Sequence, residues 1–106
     1  MNWRVEANVV SGPWHLYRIF LDEEKVVEAK WLPMPDDVVE VHCECQGRVS
    51  VLRKVKKVFD TEVRPDIRAA GYRRVIAVFP VDDSAAKALK FIRYMGFDFF
   101  SGMMEA

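Results

Sequence analysis

The chain has 106 residues, of which 51 % are apolar, and its 16 basic residues balance 16 acidic ones. That is room for one domain with one core, burying roughly two-thirds of the surface the unfolded chain exposes. The neutral balance provides no long-range field to steer the molecule toward nucleic acid or an anionic membrane. The apolar runs are too short for a spanning helix, and the N-terminus lacks the basic-then-apolar layout of a secretory signal. The expectation is therefore a soluble cytoplasmic protein with no membrane association.

In chain order, HLYRIFL (15–21) and KVVEAKWLP (25–33) are β-rich runs on either side of an acidic turn, the pattern of a hairpin. PMPDD (33–37) interrupts the pattern. VVEVHCEC (38–45) alternates: Val39, Val41, Cys43 and Cys45 on one face, Glu40, His42 and Glu44 on the other. After Gly47 the apolar positions Val51, Leu52, Val55, Val58, Phe59 and Val63 recur at three- and four-residue steps, which predicts an amphipathic helix over 49–63, disrupted at Pro65. RRVIAVFP (73–80) is a continuous run with β-branched residues, the pattern of a strand covered on both faces. Asp83 or Ser84 is placed to cap a helix over 84–95 with an apolar stripe through Ala85, Ala88, Leu89, Ile92 and Met95, ended by Gly96. FDFFSGMM (97–104) reads as a last strand over 97–102. The order is three strands, helix, strand, helix, strand: an α/β domain whose mixed central sheet has an antiparallel N-terminal part and two C-terminal crossover helices.

Several residues have chemistry to offer. Cys43 and Cys45 share a strand face, are poorly placed to bridge, and read as reduced core residues. No second Cys/His cluster accompanies them, so no metal site is expected. Glu40, His42 and Glu44 share the polar face of that strand, and His42 is the preferred base because histidine titrates near neutrality. The basic run RKVKK (53–57) reads as the solvated side of a helix, so nucleic-acid binding is not expected. His15 has no partner at a recognisable spacing. The last strand is apolar on both faces through Phe97, Phe99, Phe100, Met103 and Met104, which suggests cover by a partner: a homodimer or a host protein.

The element order, closing with GYRRVIAVFPVDDSAAKALKFIRYMGFDFFSG, resembles the C-terminal two-thirds of the GNAT superfamily of acyl-CoA-dependent N-acyltransferases. The likeness spans about residues 36–102, and the whole of 1–106 is then a single small, trimmed GNAT-like domain. Short chains of this kind resemble proteins encoded by tailed bacteriophages, which makes a bacterial or phage-infected cell the expected setting. The resemblance implies acetyl-CoA or another acyl-CoA as cofactor. Its pyrophosphate-binding turn, of pattern Q/R-x-x-G-x-G/A, falls on Gln46, Gly47, Arg48, Val49, Ser50 and Val51, with Ser84 near the start of the last helix. Valines stand where the family has its two small residues, and they limit the close approach of a phosphate. The tyrosine that protonates the departing thiolate in the family falls on Ile92; Tyr94, two residues on, points to the opposite side of the helix. The resemblance thus implies an N-acyltransferase, for which the polar strand face offers His42, Glu40 and Glu44 as catalytic candidates, or a catalytically inactive GNAT-fold binding protein acting on a host protein.

Overall fold

A computed structural model of the chain describes residues 2–78, 85–98 and 103–106. The described elements are β1 (Trp3–Ser11), β2 (Trp14–Leu21), β3 (Glu24–Met34), β4 (Val38–Cys45), α1 (Val49–Val58), α2 (Arg64–Ala69), β5 (Arg74–Ala77), α3 (Ala85–Met95) and β6 (Met103–Glu105). One sheet holds all six strands in chain order. Neighbours run antiparallel except β4 and β5, which are parallel and joined through the α1–α2 segment.

Local chemistry accounts for the hairpins. Between β2 and β3 the chain turns on two residues of positive φ, Asp22 at 49° and Glu23 at 66°, the conformation that matches strand twist but costs residues with a Cβ. Contacts to the chain start hold it there. The Asp22 carboxylate accepts from the Asn2 backbone N–H at 3.0 Å, and the Asp22 N–H donates to the Asn2 carbonyl at 2.9 Å. Between β3 and β4, Asp36 and Asp37 take the same left-handed region, and the Asp37 carbonyl accepts from Arg73 and Arg74 at 3.0 and 3.2 Å. That second turn therefore also fixes where β5 begins.

Alternation along the strands puts Tyr17, Ile19, Val27, Trp31, Val39 and Val75 on one sheet face, where Val51, Val55, Val58, Phe59, Ile92 and Met95 of the helical segments bury them. The opposite face of β1 to β3 carries Arg4, Glu6, Arg18 and Glu28 in ion pairs of 3.0–3.6 Å. It is a solvated face.

Four details depart from the sequence pattern. β1 was not among the expected strands, because a bulge between Glu6 and Val9 breaks its alternation. Pro65 does not end the helix. A π-helical turn over Phe59–Val63, in which the Arg64 N–H donates to the Phe59 carbonyl, shifts the hydrogen-bond ladder, and Pro65 then sits in the first turn of α2, where no N–H is needed. The Thr61 hydroxyl donates to the Lys57 carbonyl at 2.8 Å, giving it a side-chain partner within that turn. The last strand begins at Met103 and not at 97; Phe97 is buried against Phe59, and 99–102 lie outside the described residues. Finally, Val78 is 43 % exposed and not buried within a strand covered on both faces.

Candidate functional site

The pairing of β4 with β5 runs from Val38/Arg74 to Val41/Ala77 and is extended by one bond, from the Val78 N–H to the Val41 carbonyl at 3.2 Å. The parity of β4 decides what lies beyond. The Gln46 N–H donates to the Val26 carbonyl of β3 at 3.1 Å, so even-numbered residues direct their backbone groups toward β3 and odd-numbered ones toward β5. The N–H and C=O of Cys43 and Cys45 accordingly face the side where the described pairing has ended. Residues 79–84, among them Asp83 and the candidate Ser84, lie outside the described residues.

Beside that strand end a cleft of about 870 Å³ lies between β4, the start of α1 and α3. The Cys43, Glu44 and Cys45 end of β4, Gly47, Val49 and Leu52 form one wall, and Lys87, Lys90, Phe91 and Tyr94 form the other, with Arg53 beside them. Arg48 precedes α1 in an extended conformation and no side chain caps the helix, so the first-turn N–H groups lack a side-chain acceptor, and the turn holds no acidic residue. The helix dipole and three cations, Arg53, Lys87 and Lys90, bring positive potential to the cleft. Lys87 and Lys90 were not singled out in the sequence, since nothing short of the fold brings α3 over the turn.

The candidate cofactor residues divide. Gly47 and Val49 line the cleft. The Gln46 side chain turns away, its amide nitrogen donating to Glu24 at 3.2 Å and its oxygen accepting from Arg48 Nε and Nη2 at 3.0 and 2.7 Å. Ser50 is half-buried, and Val51 is fully buried in the core. No positive φ occurs from 46 to 51, so the valines sit in ordinary backbone, and a Cβ at Gly47 would meet nothing within 4 Å. What the valines change is the approach of a ligand, and only Val49 stands in the way.

Of the candidate catalytic residues, Glu40 and His42 come together on the sheet face away from the helices. His42 Nε2 lies 3.0 Å from Glu40 Oε1, and the ring meets Trp14 edge-on at 5.3 Å. Lys30 covers the other part of Trp14, 4.4 Å from the ring centre. Glu44 is exposed, at the edge of the cleft.

The cysteines are free, as expected, and they divide: Cys45 is half-buried and packs against the core, while Cys43 is exposed and is not a core residue. Their mutual hydrogen bond lowers the Cys45 thiol and raises that of Cys43. Burial adds to the rise at Cys43, but the residue is exposed by area, so the partner thiol is the cause that counts. Ile92 is buried under the sheet, while Tyr94 is 46 % exposed in the cleft. The basic run is largely engaged: Lys54 lies over Trp3 at 5.6 Å, and Lys56 pairs with Asp60 at 3.0 Å. His15 is structural, stacked on Trp31 at 3.8 Å with Nδ1 2.8 Å from Asn8 Oδ1. Among the described residues no group of three His, Cys, Asp or Glu side chains is arranged to hold a metal, and no helix is long and apolar enough to cross a membrane.

No protein-family model matches the chain, and no curated protein matches it. Solved structures do. A protein from Desulfovibrio desulfuricans described as a GNAT-family acetyltransferase superposes with a TM-score of 0.64 at 19 % identity, over 81 % of this chain and 55 % of its own. The GNAT domain of S. lividans PAT gives 0.64 at 18 % identity, over 89 % of this chain and 61 % of its own. RimL, a ribosomal L7/L12 alpha-N-protein acetyltransferase in complex with coenzyme A, gives 0.56 at 18 % identity, over 81 % and 49 %. The chain thus has the GNAT acetyltransferase fold in a trimmed form and spans about half the length of these structures.

Proposed function

We propose that this protein binds an acyl-coenzyme A, acetyl-CoA being the simplest, and transfers the acyl group to an amine. The observation that carries the reading is the uncapped start of α1, which opens with Arg53, Lys87 and Lys90 on the cleft beside the Cys43–Cys45 end of β4. That arrangement fits the coenzyme's chemistry. The first-turn N–H groups of α1 with Arg53, Lys87 and Lys90 suit its phosphates, and the backbone groups of Cys43 and Cys45, which face away from β3, suit the amides of its pantetheine arm. When bound, the coenzyme supplies an acyl group activated as a thioester.

An amine must lose its proton to attack such a group, and a lysine amine ordinarily titrates near 10.4. In this reading the base is His42 on the open sheet face, with the Glu40 carboxylate 3.0 Å from Nε2 holding the ring. Glu44, at the cleft edge, is placed to relay through water. The position where the resemblance expects the acid is Ile92, an apolar and buried residue.

That last point favours a second reading: a noncatalytic GNAT-fold binding protein whose partner, a second copy or a host protein, engages the outer edge of β6. Calorimetric titration with acetyl-CoA and with free coenzyme A tests the first reading. Binding at micromolar concentrations followed by acyl transfer to an amine supports it, and the absence of binding at millimolar ligand removes it in favour of the second.

A further inference from the structure

The sheet face under the helices contains a second hollow, of about 130 Å³, that the site above does not use. Its walls are apolar: Val27, Val41, Val55, Phe59 and Ile92 contribute, and Cys43 and Phe91 line both this hollow and the cleft. Two small residues of the sheet, Ala29 and Ala77, line it. Ala29 pairs with Cys43 from β3, and Ala77 pairs with Val41 from β5, so alanines flank β4 on both sides. Their neighbours on the same face, Val27, Trp31 and Val75, are large and buried.

Protein interiors are packed to the density of organic crystals, and an apolar void of this size loses contacts all along its lining. A cavity of about 150 Å³ with similar walls excludes water and admits a six-carbon hydrocarbon. We infer that this hollow is an acyl-chain pocket, taking a straight aliphatic chain of about four or five carbons beyond the thioester carbonyl, so that the preferred donor is a short-chain acyl-CoA larger than acetyl-CoA. The assignment rests on the coenzyme reading above. It adds what that reading leaves open, the identity of the acyl group.

The test is a binding series by calorimetry on the full chain with free coenzyme A and its acetyl, butanoyl, hexanoyl and decanoyl thioesters. Burying each added methylene should tighten binding about fourfold, so hexanoyl should bind on the order of a hundredfold more tightly than acetyl, with the gain lost at decanoyl. Ala29→Leu, which fills the hollow from β3, should move the preference back toward acetyl; if that variant does not fold, Ala29→Val serves, and the series on the unaltered protein stands by itself. Coenzyme A binding with affinity indifferent to chain length would overturn the pocket while leaving the coenzyme reading intact. Failure of every ligand to bind, free coenzyme A included, would overturn both.

Discussion

Val49 and Val51 stand two residues apart at the start of α1 and face opposite ways. Val49 is 63 % exposed on the wall of the cleft, and Val51 is fully buried beneath the helix. The two positions where the GNAT pattern has small residues are therefore not equivalent.

Val49→Gly should cost under about 1 kcal/mol of stability, since the position is exposed in the first turn, and should tighten coenzyme A binding by opening the approach to the helix N–H groups. Val51→Gly should cost about 3 kcal/mol, the loss of a buried valine side chain plus the helix penalty of glycine. Urea unfolding of both variants, with calorimetry on Val49→Gly, checks the pair. Equal costs would contradict the burial of Val51.

His42→Ala should lower amine acylation about a hundredfold while leaving the unfolding midpoint close to that of the parent, because the side chain is half-exposed and its described hydrogen bond is to Glu40. Glu40→Gln should lower it less, by removing the charge that steadies the ring. Turnover measured beside a melting curve separates lost catalysis from lost folding.

Lys87→Glu and Lys90→Glu should each weaken coenzyme A binding about tenfold at low salt, with the difference shrinking as salt is raised. If either charge reversal leaves the affinity unchanged, the lysines of the cleft are not where the phosphates lie.

Tyr17 links β2 to α2: its hydroxyl donates to Asp66 Oδ2 at 2.8 Å and accepts from Trp31 Nε1 at 3.1 Å. Tyr17→Phe should cost about 1–3 kcal/mol, because the buried Trp31 N–H is left without its acceptor. Burial first, and then the Asp66 carboxylate, raise the Tyr17 hydroxyl above its usual value near 10, against the lowering effect of Trp31. The folded state thus holds this proton more tightly than the unfolded one. Its contribution to stability is complete below pH 10 and declines as pH rises above it. Melting curves should show that alkaline decline in the parent and a smaller one in Tyr17→Phe.

Cys43→Ala should slow alkylation of Cys45 at neutral pH. The Cys43 S–H stabilises the Cys45 thiolate, and without it the Cys45 thiol moves back up. The rate of Cys45 modification by iodoacetamide, followed by peptide mass, measures this. A faster reaction would mean that Cys43 shields its neighbour sterically more than it activates it.

The sequence by itself determined those features whose signals are local. The alternation of VVEVHCEC specified β4 and put Glu40 and His42 on one face; the three- and four-residue steps from Val51 to Val63 specified the helix after it. The order of these elements was sufficient to indicate the GNAT fold. β1 was lost because a bulge removes its period of two, and Pro65 misled because the hydrogen-bond shift that accommodates it, a π-helical turn, leaves no mark in the hydrophobic pattern. The tertiary structure alone decided the rest. Whether Cys43 is core or cleft, and whether Lys87 shares a cleft with Gly47 and Val49, depend on how α1 and α3 lie over the end of β4. Both are set by packing between segments some forty residues apart in sequence. No local spacing encodes them, because the energy that fixes them is shared among all the side chains buried between sheet and helices.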